Sequence, residues 1–316
     1  MEPLGLDTLL ICFGGGIVGA ALGGLFSFVL CGLLVLAGCL VVLQGGSDFL
    51  LLQVGLGPAF GPHVGGFAAG VAAASYAAMR KNHPGDSAKD ILSALMCTSW
   101  DVLLVGGIFA IAGHLLVVAF GRLPIVKDFD VLALSVAVTA ILARLLFQRQ
   151  MPWGDAASIR KAGYLGTAGG TLSWIPWAGP LPKMLLFGLG AGLLSASMAA
   201  AAKTAMAPLV ARGVVSATGA VVVPLILGWA VAAVSLIALQ LGSDSIQKVP
   251  VWHAQAVLAA LAYLIFGSMA AAAVVAVCAT LLQELMARMF WNHGSTHIDP
   301  PACAIAVGTF VLNCLK

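Results

Sequence analysis

Charge is what this chain has least of. Its 12 acidic and 15 basic side chains make up 9% of 316 residues, about a third of the share in an ordinary soluble domain. With 61% hydrophobic residues and a mean hydropathy of +1.06, the chain has more apolar surface than a water-soluble core of this size can hide. The net charge of +3, with no basic tract and no aromatic residues interleaved with basic ones, excludes a nucleic-acid partner. No Lys or Arg precedes Arg80, so the basic start of a cleavable signal peptide is missing and the first apolar segment is expected to stay in the mature protein.

Other absences narrow the class further. Seven cysteines contain no Cys-x-x-Cys pair and lie almost wholly in apolar runs, which argues against a disulfide framework, a zinc site and a thiol redox motif. No cofactor and no metal is expected. The alternation of an outer-membrane barrel is missing. So are His-Glu-x-x-His, Gly-x-Ser-x-Gly, a Walker loop and a dinucleotide fingerprint after a strand. Gly14-Gly15-Gly16 with Gly19 falls inside an apolar run, where close helix contact explains it better than phosphate binding.

What is present is a succession of apolar stretches of about 20 residues, the length that carries a helix across a bilayer. The reading is an all-α integral membrane protein, a polytopic helical bundle of about ten transmembrane or re-entrant segments in two related halves with broken helices. Residues 8–44 would make a single helix of about 55 Å, too long for a bilayer of about 30 Å, so they should form two spans that break at Gly23-Gly24. Residues 45–62 hold a piece too short to cross. His63 to Met79 reads as an interior helix of small residues. Further helices are expected across 91–121 and 131–147, then near 184–202, 214–241 and 251–291, with Gly267 inside the last, and finally over 300–316. The polar, proline-rich stretch 148–183 should connect an N-terminal half (1–147) to a C-terminal half (184–316), with 163–180 as a re-entrant turn. Lys and Arg cluster at 80–89 and 144–161 and mark those loops as cytoplasmic.

Three approximate internal matches suggest duplication. They pair 8–44 with 254–291, 61–80 with 179–203, and 102–147 with 221–266. Duplicated halves whose broken helices meet near the midplane are a recurrent transporter and channel architecture.

The candidate chemistry sits in the polar breaks. His63 follows Gly61-Pro62 and precedes Gly65 and Gly66, so the chain can turn there and start a helix whose free N–H groups face a cavity. The plain alternative is a histidine capping a helix at the membrane surface. His297 and Asp299 form the sharper pair, with Asp299 at an N-cap position and Pro300 at the first helical position, which is ordinary helix-start grammar. In a pore mouth the same two side chains could bind a cation or relay a proton. Asp101 near a span start and His114 within a span are second candidates. Glu284 and Arg288, four apart, should pair on one helix face.

The expected function is a membrane channel or secondary transporter, a permease, for a small polar solute or ion. The expected setting is the prokaryotic cytoplasmic (inner) membrane, with the lipid bilayer as partner and a homo-oligomer possible for so small-residue-rich a bundle. The rival readings are an intramembrane enzyme using the same His and Asp residues and a non-transporting membrane subunit.

Overall fold

The computed structural model describes residues 2–167, 175–242 and 245–316. Every regular element among them is helical: α1 (Leu6–Leu22), α2 (Gly24–Leu43), α3 (Ala68–Met79), α4 (Trp100–Phe120), α5 (Val131–Gln148), a short α6 (Ala156–Ala162), α7 (Leu181–Ala211), α8 (Ala217–Ser235), α9 (His253–Phe266), α10 (Met269–Met286) and α11 (Pro300–Cys314). Six stretches are long and apolar enough to cross a membrane: α2, α4, α5, α7, α8 with its 3₁₀ extension to Gln240, and α10 with its π-helical extension to Trp291. The apolar helices α1, α3, α9 and α11 are shorter. Large apolar side chains such as Leu6, Leu186, Val221 and Val274 point outward, while the interior is filled with Ala and Gly. A soluble protein rarely exposes so much large apolar surface; these are the helix lengths and the surface of a membrane protein.

The long apolar runs break where glycine permits it. Gly23 has φ +84°, a region open to glycine and strained for other residues, and a Cβ there would overlap the Ser93 carbonyl. The break leaves backbone groups in need of partners, and residues 91–96 supply them. Leu25 N donates to Ile91 O at 2.8 Å, and Leu95 and Met96 N donate to Ala21 O at 3.1 and 3.2 Å. This corrects the helix expected over 91–121, which starts at Trp100. Asp90 turns the chain by accepting from Leu92 N and Ser93 Oγ, and the apolar 91–95 segment is spent on the gap between α1 and α2.

The helix expected from His63 likewise starts later, at Ala68. Residues 61–67 form tight turns, with Gly66 N on Gly61 O and Ala68 N on Pro62 O. Gly65 and Gly66 therefore belong to the turn before the helix, not to its first turn: a Cβ on Gly65 would overlap Gly15 O and one on Gly66 would overlap Phe60 O. Farther on, α7 runs past 202 to Ala211 with Pro208 in its last turn, where a missing N–H–carbonyl bond disturbs few following turns. Of the re-entrant turn proposed at 163–180, residues 168–174 lie outside the described residues.

Two stretches share an order of elements. Helices α1 and α2 meet at a glycine and lead to a π-helical turn (Leu50–Gly55), a histidine-bearing loop and the short α3; helices α9 and α10 meet near Gly267 and lead to a π-helical turn (Ala287–Trp291), a histidine-bearing loop and the short α11. Packing does not divide at residue 148. Helices α1, α3, α4 and α5 pack together, as do α7, α8, α9 and α10, but α2 lies on α8, and α11 touches α5 as well as α9 and α10.

Candidate functional site

The loop between Trp291 and Pro300 is held in place by a buried cation. Arg144, on α5, is fully buried. Its Nε donates to Thr296 Oγ1 at 2.8 Å, its Nη2 to Thr296 O at 2.8 Å, and its Nη1 to Phe290 O at 2.6 Å and to Pro152 O. The guanidinium thus meets acceptors on three sides without a carboxylate, a use of its planar fork that lysine could not reproduce. Gly294 lies against it so closely that a Cβ there would overlap the guanidinium. Arg144, read from the sequence as closing the span 131–147, does lie near the C-terminal end of α5, with its side chain turned inward as an anchor.

This loop presents His297 and Asp299. Asp299 caps α11 as expected, accepting from Ala302 N through Oδ2 at 2.8 Å, and Pro300 stands at the first helical position. Its other oxygen, Oδ1, lies 3.3 Å from His297 Nε2. Trp291 Nε1 donates to His297 Nδ1 at 3.3 Å, so the ring accepts at Nδ1 and turns its Nε2–H toward the carboxylate. A second imidazole closes in from α9: His253 Nε2 lies 3.8 Å from Asp299 Oδ2, and its Nδ1 is buried without a hydrogen-bond partner. Phe67, which precedes α3, packs edge-on against the His297 ring at 5.8 Å between centroids. The starts of α3, α9 and α11 thus converge, and the partial positive charge at three helix N-termini favours negative charge on Asp299.

Two cavities meet there. One, of about 320 Å³, is lined by Lys89, Trp291, His297 and Leu236 among others; the second, of about 50 Å³, is lined by Pro62, Leu56, Asp130 and Ile305 among others. They share Phe28, Phe67, His253 and Asp299, with Phe28 and Phe67 in edge-on contact at 5.4 Å. In the larger cavity Lys89 Nζ donates to Asn292 O at 3.3 Å and sits 4.1 Å above the Trp291 ring, a cation–π arrangement. Burial, and then the nearby Arg144, push the Lys89 ammonium down to about 8. At the edge of the smaller cavity, burial raises the Asp130 carboxyl above the usual carboxylate range, while the Ala133 N–H that it caps pulls the other way.

The other candidates lie elsewhere. His63 stacks on His114 at 6.0 Å between ring centroids; both are buried, with their Nδ1 atoms unpartnered, and His114 Nε2 lies 2.8 Å from Pro3 O. The His63 ring thus packs on His114, while the His297 ring packs on Phe67 and Trp291. Asp101 sits in the first turn of α4, accepts from Tyr76 Oη at 2.9 Å and lies 3.8 Å from the exposed Arg80. The Glu284–Arg288 pair forms at 3.2 Å. Sequence reasoning left out His253, Lys89 and Arg144. His253 could have been found from its place, with Gln255, at the polar start of an otherwise apolar run; nothing local marks the other two. Among the described residues no three His, Cys, Asp or Glu side chains are grouped so as to hold a metal ion.

No curated protein and no solved structure matches the chain. A family model does match it, over residues 1–158 and 171–316 with the break inside the polar connector, and the chain accordingly belongs to a family of unknown function (DUF7973).

Proposed function

We propose that this protein is a membrane channel or secondary transporter for a small polar solute or ion, with ten membrane-embedded segments made of the six long helices and the four shorter ones. One observation carries the reading: two cavities share a narrow wall of Phe28, Phe67, His253 and Asp299, at the meeting point of three helix starts. An ionisable group at membrane depth is costly unless it faces water or a partner, and Asp299 here faces two imidazoles and two cavities. Broken helices whose ends meet at a central site are the recurrent way in which transporters place backbone charge around a solute. The matching order of elements around α3 and α11 supports a duplicated ancestry for that site.

The test is flux in liposomes under an imposed proton or sodium gradient, followed with an internal pH dye, with tracer sodium and with a panel of labelled small polar solutes. Gradient-driven movement by the parent that falls at least tenfold in His297→Ala and His253→Ala supports the reading. Absence of flux for every probe in folded, reconstituted protein overturns it. The intramembrane-enzyme reading draws on the same His253–Asp299–His297 geometry, and turnover without solute movement would favour it.

A further inference from the structure

Between α7, α9 and α10 lies a cavity of about 200 Å³ that the His–Asp cluster does not use. Ile175, Trp177 and Val251 form its partition from the 320 Å³ cavity. Among mostly apolar lining residues, its buried polar groups are acceptors. Thr280, Gln283 and Glu284 share one face of α10 by their spacing, and Gln255 comes from the first turn of α9. Thr280 donates its hydroxyl proton to Ala276 O at 2.9 Å, so toward Gln255, 3.3 Å away, it can only accept. That assigns the Gln255 amide nitrogen to Thr280 and leaves Oε1 buried and unpartnered. Gln283 is assigned in the same way, since its nitrogen donates to Val251 O at 3.3 Å and its Oε1 is left unpartnered. Both side chains are nine-tenths or more buried, with Gln255 3% and Gln283 6% exposed. A buried amide oxygen without a donor is costly, and two lining one cavity call for a ligand rich in N–H groups.

The charges around the cavity say which kind. Glu284 contributes a carboxylate that Arg288 also contacts, at 3.2 Å, and an ionised carboxylate has lone pairs enough for further donors. Lys183, at the exposed start of α7, and Lys248 line the same cavity, and the Lys183 ammonium also donates to Trp177 O at 2.6 Å. A simple anion would press its oxygens on the buried amide oxygens; a simple cation would suit Glu284 but be repelled by Lys183 and Lys248. We propose that the cavity binds a small zwitterion with a primary ammonium group. The ammonium donates to Gln255 Oε1, Gln283 Oε1 and the Glu284 carboxylate, and the anionic end lies toward Lys183 and Lys248. The inference goes beyond the transport reading and does not depend on it.

The experiment uses the purified full-length protein in detergent, without gradients, so that failure here leaves the flux test untouched. Thermal stabilisation and calorimetric titration are run with glycine, β-alanine and 4-aminobutyrate as zwitterions and with methylammonium chloride and sodium acetate as the two halves. Saturable binding of at least one zwitterion, ten times or more tighter than either half, is expected. Gln255→Leu and Gln283→Leu should each weaken it tenfold or more, and Lys183→Gln, at the exposed start of α7, should weaken the zwitterion but not methylammonium. No saturable response to any zwitterion would mean that the cavity holds only water, and would overturn the proposal. Equal binding of acetate or methylammonium, or parental affinity in the folded Gln variants or in Lys183→Gln, would overturn it as well.

Discussion

Arg144 and Thr296 are joined twice across 152 positions of sequence, Nε to the hydroxyl and Nη2 to the carbonyl oxygen, each at 2.8 Å. The same guanidinium reaches Phe290 O and Pro152 O, so one side chain on α5 ties several points around the His297–Asp299 loop, beside the bonds that Ser295 makes to Gln150 Oε1.

Arg144→Leu is expected to strip donors from several buried acceptors at once. Each unmet buried group costs about 1–3 kcal/mol, and the expected loss is about 3 kcal/mol or more, read as a lower melting temperature in detergent. Arg144→Lys should recover little of it, because one ammonium cannot reach acceptors spread around a planar fork. Gly294→Ala, which forces a methyl group against the pinned guanidinium, should cost about 1–3 kcal/mol. A parental melting temperature in Arg144→Leu would show that the loop is positioned by something else.

Asp299 has two separable tasks, capping α11 and carrying charge between two imidazoles. Asparagine caps nearly as well as aspartate, whereas alanine loses about 1 kcal/mol. Asp299→Asn is therefore expected to hold the parental melting temperature and to lower flux at least tenfold, while Asp299→Ala lowers both. Full flux in Asp299→Asn would reduce this carboxylate to a helix cap.

Lys89 gives a pH dependence of defined sign. Its ammonium is pushed down to about 8 from the ordinary lysine value of 10.5, so the folded protein releases that proton first as pH rises. Between those values the unfolded chain holds more protons, and stability contributed by this group rises with pH across that window. Below about pH 8 the full cost of the buried charge is present. Melting temperatures taken from pH 7 to 10 should rise more steeply for the parent than for Lys89→Met, and Lys89→Met should be the more stable of the two at pH 7. Parallel pH profiles would show that Lys89 is solvated as freely as an ordinary surface lysine.

Some of the site could be read from local grammar alone. The break at Gly23, the Asp299-Pro300 helix start and the Glu284–Arg288 pair each depend on residues within a few positions of one another, and the structure carries all three. The errors have a common cause. Residues 91–95 are apolar enough for a helix, yet their backbone is drawn to the orphaned groups at the α1–α2 break, and no local pattern records that demand. Gly65 and Gly66 looked like the opening of a helix but are needed as glycines because α1 passes against Gly65 and the Phe60 carbonyl lies against Gly66.

The sequence by itself determined the kind of secondary structure: a chain with 9% charged residues and long apolar runs, without the alternation of a barrel, can satisfy its backbone away from water as helices, and the Gly23 break was legible in it. Which polar side chains meet was decided by the tertiary structure alone. His253 joins Asp299, Arg144 grips Thr296, and His63 finds His114 because helices rich in small residues approach closely enough for such side chains to touch. Close approach of that kind depends on the shapes of several helices at once, so no single stretch of the chain contains it.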